Sequence, residues 1–170
     1  MDKIEELLKD PKTDLQKQAL TDKSYKKTPN NQDCKINFEL ATYGDAILKC
    51  VLCKIYFERE DEDNFGFKGK LTEWKKQYES DEVLVRVVAK HYNLLNFLRY
   101  DKEGNGKPEE QKLQDYDHKG QNDKDRHKYI ATAMEASIAA VYLKNGENEV
   151  IEIVKQWIEW IDKVTNSSDT

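Results

Sequence analysis

The chain has 170 residues, 38% hydrophobic and 36% charged, which is enough for one domain with its own core and without disulfides or a structural metal. No apolar stretch approaches the roughly 20 residues of a membrane span, and MDKIEELLKDPK lacks the basic, apolar and small-residue blocks of a secretory signal, so a cytoplasmic protein is expected. A net charge of −5 argues against nonspecific nucleic-acid binding through a uniformly basic surface, although the acids cluster in EREDED at 58–63 and lysines follow closely.

In chain order, IEELLKD reads as a short amphipathic helix ended near Pro11, and LQKQALT as a second helix after an Asp14 cap. KSYKKTPNNQD is a loop by its Pro, Asn and Lys content. It leads into the longest apolar-periodic run, INFELATYGDAILKCVLCKIYFERE, expected to be one long, largely buried helix. After the glycine-containing connection NFGFKGK, LTEWKKQYES is expected to be helical, with Thr72 as its cap and Leu71, Trp74 and Tyr78 facing inward. SDEVLVRVVAKHYNL follows as a helix capped by Ser80 or Asp81, with Val83, Val87 and Lys90 at helical spacing.

Residues 101–125 hold three of the seven glycines, one proline and many charges, and read as a long exposed loop. KYIATAMEASIAAVYLK and VIEIVKQWIEWIDKV are two strong helices separated by the stop signal Asn145-Gly146. The expectation is an all-α domain over 1–164 with a frayed tail over 165–170. Cys34, Cys50 and Cys53 suit a reducing compartment. Cys50 and Cys53 form a C-x-x-C inside a predicted helix with no second Cys/His pair, and read as small core residues on one helical face rather than as a zinc or redox pair.

The chemistry is carried by two misplaced acids. Between Ile130 and Leu143, Glu135 is the only charge, set among Ala131, Ala133, Ala136, Ala139 and Ala140, which are small enough for other helices to approach closely. Asp45 follows Gly44 and precedes Ala46, Ile47 and Leu48. A buried carboxylate is costly unless compensated. Singly, each acid fits an ordinary salt bridge or a backbone cap; together, two acids on two core helices can converge on one hard cation, because magnesium is often held by one or two carboxylates and several waters.

NFELATYGDAIL resembles the signature helix of the ribonuclease III family, which ends in Gly-Asp-Ala followed by aliphatics. QALTDKSY, LTEWKKQYESDEVLVRVVAKHYNLLNFLRY and IATAMEASIAAVYL resemble its other segments in the same order, from about residue 14 to 160. The resemblance implies a homodimeric helical domain that binds Mg2+, or Mn2+, through Asp45 and Glu135 and cuts double-stranded or structured RNA, leaving 5′-phosphate and 3′-hydroxyl ends. The family's usual four carboxylates are reduced here. Ala41 stands four residues before Asp45, and Thr132 three residues before Glu135, both on the faces that carry the remaining acids; Glu39, six residues from Asp45, points elsewhere.

The same Ala and Thr pattern is similar to that of mini-ribonuclease III, a single-domain branch that trims ribosomal RNA precursors, and Thr132 reads equally as a residue that orients water and as a small helix-packing residue. The alternative is a family member that binds RNA or a ribonucleoprotein without cutting it. The sequence ends soon after the catalytic segment, so RNA is expected to be held by this domain, its dimer mate or an accessory RNA-binding protein. The candidate phosphate contacts are Lys68, Lys70, Lys75, Lys76, Lys124, Arg126, His127 and Lys128. His91 and His118 are expected to be bystanders.

Overall fold

A computed structural model describes residues 2–27, 29–59, 69–101, 106–117 and 127–167. Among them the secondary structure is helical, and the extended pairing is limited to an isolated bridge between Thr21 and Arg99. Helix α1 (Lys3–Lys9) starts where the Asp2 carboxylate accepts from Glu5 N at 2.9 Å and stops at Asp10, before Pro11. Helix α2 (Asp14–Ala19) is capped by Thr13 rather than by Asp14. Thr13 has the extended backbone of a cap, and Gln16 returns a side-chain oxygen to Thr13 N at 3.0 Å. This reciprocal pair moves Asp14 into the first turn, where its charge still favours the positive end of the helix. The expected loop after it contains a short 3-10 turn at Lys23–Lys27.

Helix α3 (Phe38–Arg59) realises the long apolar run. Helix α4 (Lys70–Glu79) begins after Gly69, whose φ of 93° takes the cap position, so Thr72 sits exposed in the first turn instead of capping. Leu71 and Trp74 are half-buried and Tyr78 is buried, as the spacing predicts. Helix α5 (Asp81–Val83) is capped by Ser80 Oγ and passes directly into a π-helical segment, Leu84–Ala89. The wider winding places Leu84, Val85, Val88 and Ala89 in the core, whereas Val83, Val87 and Lys90 are only half-buried.

The segment expected to be an exposed loop contains helix α6 (Glu109–Asp117). Its Tyr116 is buried, with the hydroxyl accepting from Leu95 N at 2.8 Å, and Lys90 pairs with Asp117 at 2.7 Å. Leu113 and Tyr116 are the only large apolar side chains of α6, too few to show a period. Residues 102–105 and 118–125 of the same segment lie outside the described residues.

Helix α7 (Lys128–Asn145) and helix α8 (Glu147–Ser167) are separated by Gly146 at φ 87°. Helix α8 continues past residue 165, where a tail was expected. Helix α7 is the centre of the core, with Ile130, Ala131, Ala133, Met134 and Ala136 to Val141 all buried, and it packs mainly on α3 and also on α1, α2 and α8. Across the base of the core, Trp157 Nε1 donates to Tyr92 Oη at 3.0 Å, and Tyr92 Oη donates to Asp2 Oδ2 at 2.7 Å.

The crossing of α3 and α7 is the tightest constraint on the site. A Cβ at Gly44 would sit 1.8 Å from the carbonyl oxygen of Glu135, 2.6 Å from its carbon and 3.3 Å from Ala139 N. These are backbone atoms that cannot turn aside. Gly44→Ala is therefore expected to destabilise the fold by about 3 kcal/mol or more, measured by urea unfolding. A change below about 1 kcal/mol would show that the helices are not in this contact.

Candidate active site

The Gly44 contact also sets the position of the next residue, because Asp45 leaves α3 beside the helix turn that carries Glu135. The side chain of Asp45 is 35% exposed and accepts from Lys49 Nζ at 2.6 Å through Oδ2. Glu135 is half-buried on α7. Burial pushes its carboxyl up to about 7; the negative charges of Asp45 and Asp81 add to the rise, and Lys49 and Lys128 oppose it. Glu135 is thus in the electrostatic field of residues from α3, α4's neighbour α5, and its own helix. Two acids far apart in sequence share one locus of negative potential.

Lys49 is the residue that the sequence reading missed. Its ammonium is held above the usual lysine range by the hydrogen bond to Asp45, against the cost of burial, with further help from the charges of Asp45, Glu79 and Glu135. The i,i+4 spacing of Asp45 and Lys49 was the available signal. Glu79, on α4, is in turn 3.2 Å from Lys75 Nζ, an ion pair without a well-aligned hydrogen bond. A chain of alternating charge, Asp45, Lys49, Glu79 and Lys75, therefore borders the site.

The other expected site residues are distributed unevenly. Thr132 lies one turn before Glu135 on the same face of α7 and is half-buried; Ala41 is buried one turn before Asp45, and Glu39 is exposed. Lys128 is exposed at the start of α7 and acts on Glu135, while His127 occupies the cap position and is half-buried. Lys70 and Lys76 are exposed on α4, but Lys75 is only 19% exposed and engaged with Glu79. Lys68, Lys124 and Arg126 lie outside the described residues, as does His118. His91 stacks on Trp160, with ring centroids 3.7 Å apart, away from these acids in a cleft with Asp2, Glu5 and Glu149.

Cys50 and Cys53 correct the core expectation: Cys50 is exposed and Cys53 half-buried, because the buried stripe of α3 runs instead through Ile47, Leu48, Val51, Leu52 and Ile55. No group of three or more His, Cys, Asp or Glu side chains among the described residues is arranged to hold a metal ion. The donor set that remains is the pair Asp45 and Glu135. Hard carboxylate oxygens suit magnesium or manganese, which completes its octahedron with water, so the residues present fit a cation held at two points.

The sequence model of the ribonuclease-III-like family matches residues 12–160. Two solved structures of the nuclease domain of ribonuclease III from Campylobacter jejuni are similar to the chain. One, which concerns structural flexibility in the region of that protein involved in dimer formation, has a TM-score of 0.66 at 24% identity, covering 92% of this chain and 94% of the other. The second, a crystal structure at 2.2 Å, has a TM-score of 0.64 at 25% identity and covers 92% and 91%.

The raised Glu135 carboxyl makes stability depend on pH. In the folded chain it keeps its proton to about pH 7, whereas its ordinary value is 4.5, so the fold loses stability as pH rises through that window. In EDTA, Glu135→Gln should melt higher than wild type at pH 8, and the difference should shrink towards pH 5. A difference that does not change with pH would contradict the assignment of the strain to this carboxyl.

Proposed function

The chain belongs to the ribonuclease-III-like family, and from that premise we propose that it is a magnesium-dependent endoribonuclease acting on double-stranded or structured RNA. The observation that carries this reading is the convergence of Asp45 and Glu135 across the Gly44 contact, where burial and mutual repulsion leave Glu135 in need of a positive partner. Asp45 and Glu135 would hold Mg2+ or Mn2+. Once bound, the cation supplies the Lewis acidity that makes water a nucleophile near neutral pH and offsets charge on the phosphoryl oxygens.

Water attacks the scissile phosphorus, the bond to the 3′-oxygen breaks, and the products carry 5′-phosphate and 3′-hydroxyl ends. Thr132 presents a hydroxyl on the Glu135 face, and its role is to orient the attacking water. Lys128, Lys70 and Lys76 are exposed and suited to phosphate contacts, whereas Lys75 is committed to Glu79. Ribosomal RNA precursor is the substrate suggested by the Ala41 and Thr132 pattern.

A homodimer is part of the same reading. The solvent side of α3 carries Phe38 at 67% exposure and Phe57 at 52%, together with Thr42, Ala46 and Cys50. A second α3 packed there would bury both phenylalanines and place two active sites along one duplex. No helix among the described residues is long and apolar enough to cross a membrane. A cytoplasmic setting is in keeping with the free cysteines, and an accessory RNA-binding protein would add affinity that the acidic surface lacks.

Purified protein is expected to cut a long RNA duplex and a structured ribosomal precursor only with magnesium. Asp45→Asn or Glu135→Gln should reduce cleavage by more than about a hundredfold, with unchanged circular dichroism and dimer elution. The replacement of acids by Ala41 and Thr132 favours a second reading, an RNA-binding member without nuclease activity. Duplex binding without cleavage at any magnesium concentration would establish that reading instead.

A further inference from the structure

We propose that Lys49 is the resident counter-ion of the two-acid site, fixed to Asp45 so that it limits how tightly a divalent cation binds there. The inference rests on reading Asp45 and Glu135 as the cation ligands. Along one stripe of α3 stand Ala41, Asp45 and Lys49 at successive turns, so Asp45 has an uncharged neighbour on one side and an ammonium on the other. That ammonium donates to Oδ2 at 2.6 Å, leaving Oδ1 as the oxygen without this bond.

Lys49 is not an incidental surface partner of Asp45 alone. The acids that act on its ammonium come from three helices: Asp45 from α3, Glu79 from α4 and Glu135 from α7. Among the described residues, Asp81 from α5 and Lys128 at the start of α7 also act on Glu135, and Lys75 answers Glu79. Asp45, Glu135 and Lys49 together carry at most a single net negative charge. A cation arriving at the two acids meets an ammonium already attached to one of them.

The side chains of Lys49 and Asp45 are 45% and 35% exposed, so the site is reachable from solvent and the lysine has room to move as a cation enters. Even screened as in bulk water, a unit positive charge about 6 Å from a divalent ion weakens its binding by roughly tenfold. Lys49 is therefore a positioning residue: it holds one carboxylate oxygen of Asp45 and keeps the site from binding cations too tightly to exchange.

The test is direct Mn2+ binding, followed by electron paramagnetic resonance of the free ion and by calorimetry, on the full chain. Wild type, Lys49→Met, Lys49→Gln and Lys49→Arg are compared, with thermal unfolding to verify that each is folded. Lys49→Met and Lys49→Gln are expected to bind Mn2+ about tenfold more tightly. Lys49→Arg, which keeps the charge, should stay within about twofold of wild type, and adding Asp45→Asn to Lys49→Met should remove the gain. Binding by the neutral variants that is equal to or weaker than wild type overturns the counter-ion role and leaves the two-acid cation site standing. Absence of Mn2+ binding in every folded variant overturns both.

Discussion

At the crossing of α3 and α7 the backbone of Gly44 lies so close to the carbonyl of Glu135 that a single added carbon would fall 1.8 Å from the oxygen. The rest of the site follows from this approach. A side chain there would hold the helices apart, and Asp45 and Glu135, one on each helix, would separate with them. The small residues of α7 serve the same end: Ala131, Ala133, Ala136, Ala139 and Ala140 are all buried and let neighbouring helices reach the central one. Close packing and charge convergence are therefore one feature. Burial at the crossing, and after it the charge of Asp45, push the Glu135 carboxyl up to about 7.

The electrostatics around the pair give the site its character. Burial and two neighbouring acids raise the cost of ionising Glu135, while Lys49 and Lys128 reduce it. The protein balances the site only in part by itself, through the Asp45 and Lys49 pair and through Lys128. A reduced carboxylate set with a resident lysine is a different design from an acid-rich cage. It offers hard oxygen ligands and sets a positive charge beside them.

Much of this was legible in the sequence because it depends on local pattern. The period of the α3 and α7 runs, the stop at Asn145-Gly146, and the isolation of Asp45 and Glu135 among aliphatic and small residues all appear in the folded chain. What escaped depended on context. Thr13 displaced Asp14 as a cap because Gln16 completed a reciprocal pair. Helix α6 was hidden because only Leu113 and Tyr116 gave it apolar character, and its anchor is a hydrogen bond from Leu95, far away in sequence. The π-helical turn at Leu84–Ala89 moved the buried face by one residue from the spacing expected of an α-helix. Cys50 turned outward because the buried stripe of α3 passes it by. Lys49 is one more surface lysine in the sequence, and only the fold brings the acids of three helices around it.

On the proposed function Asp45 and Glu135 converge on one cation. Crystals of the protein soaked in Mn2+ and measured for anomalous scattering test it most directly. One strong peak per chain is expected, within coordination distance of both carboxylates, about 2.2 Å. A peak on other residues, or no peak between Asp45 and Glu135 in a soaked crystal with both side chains ordered, would contradict it.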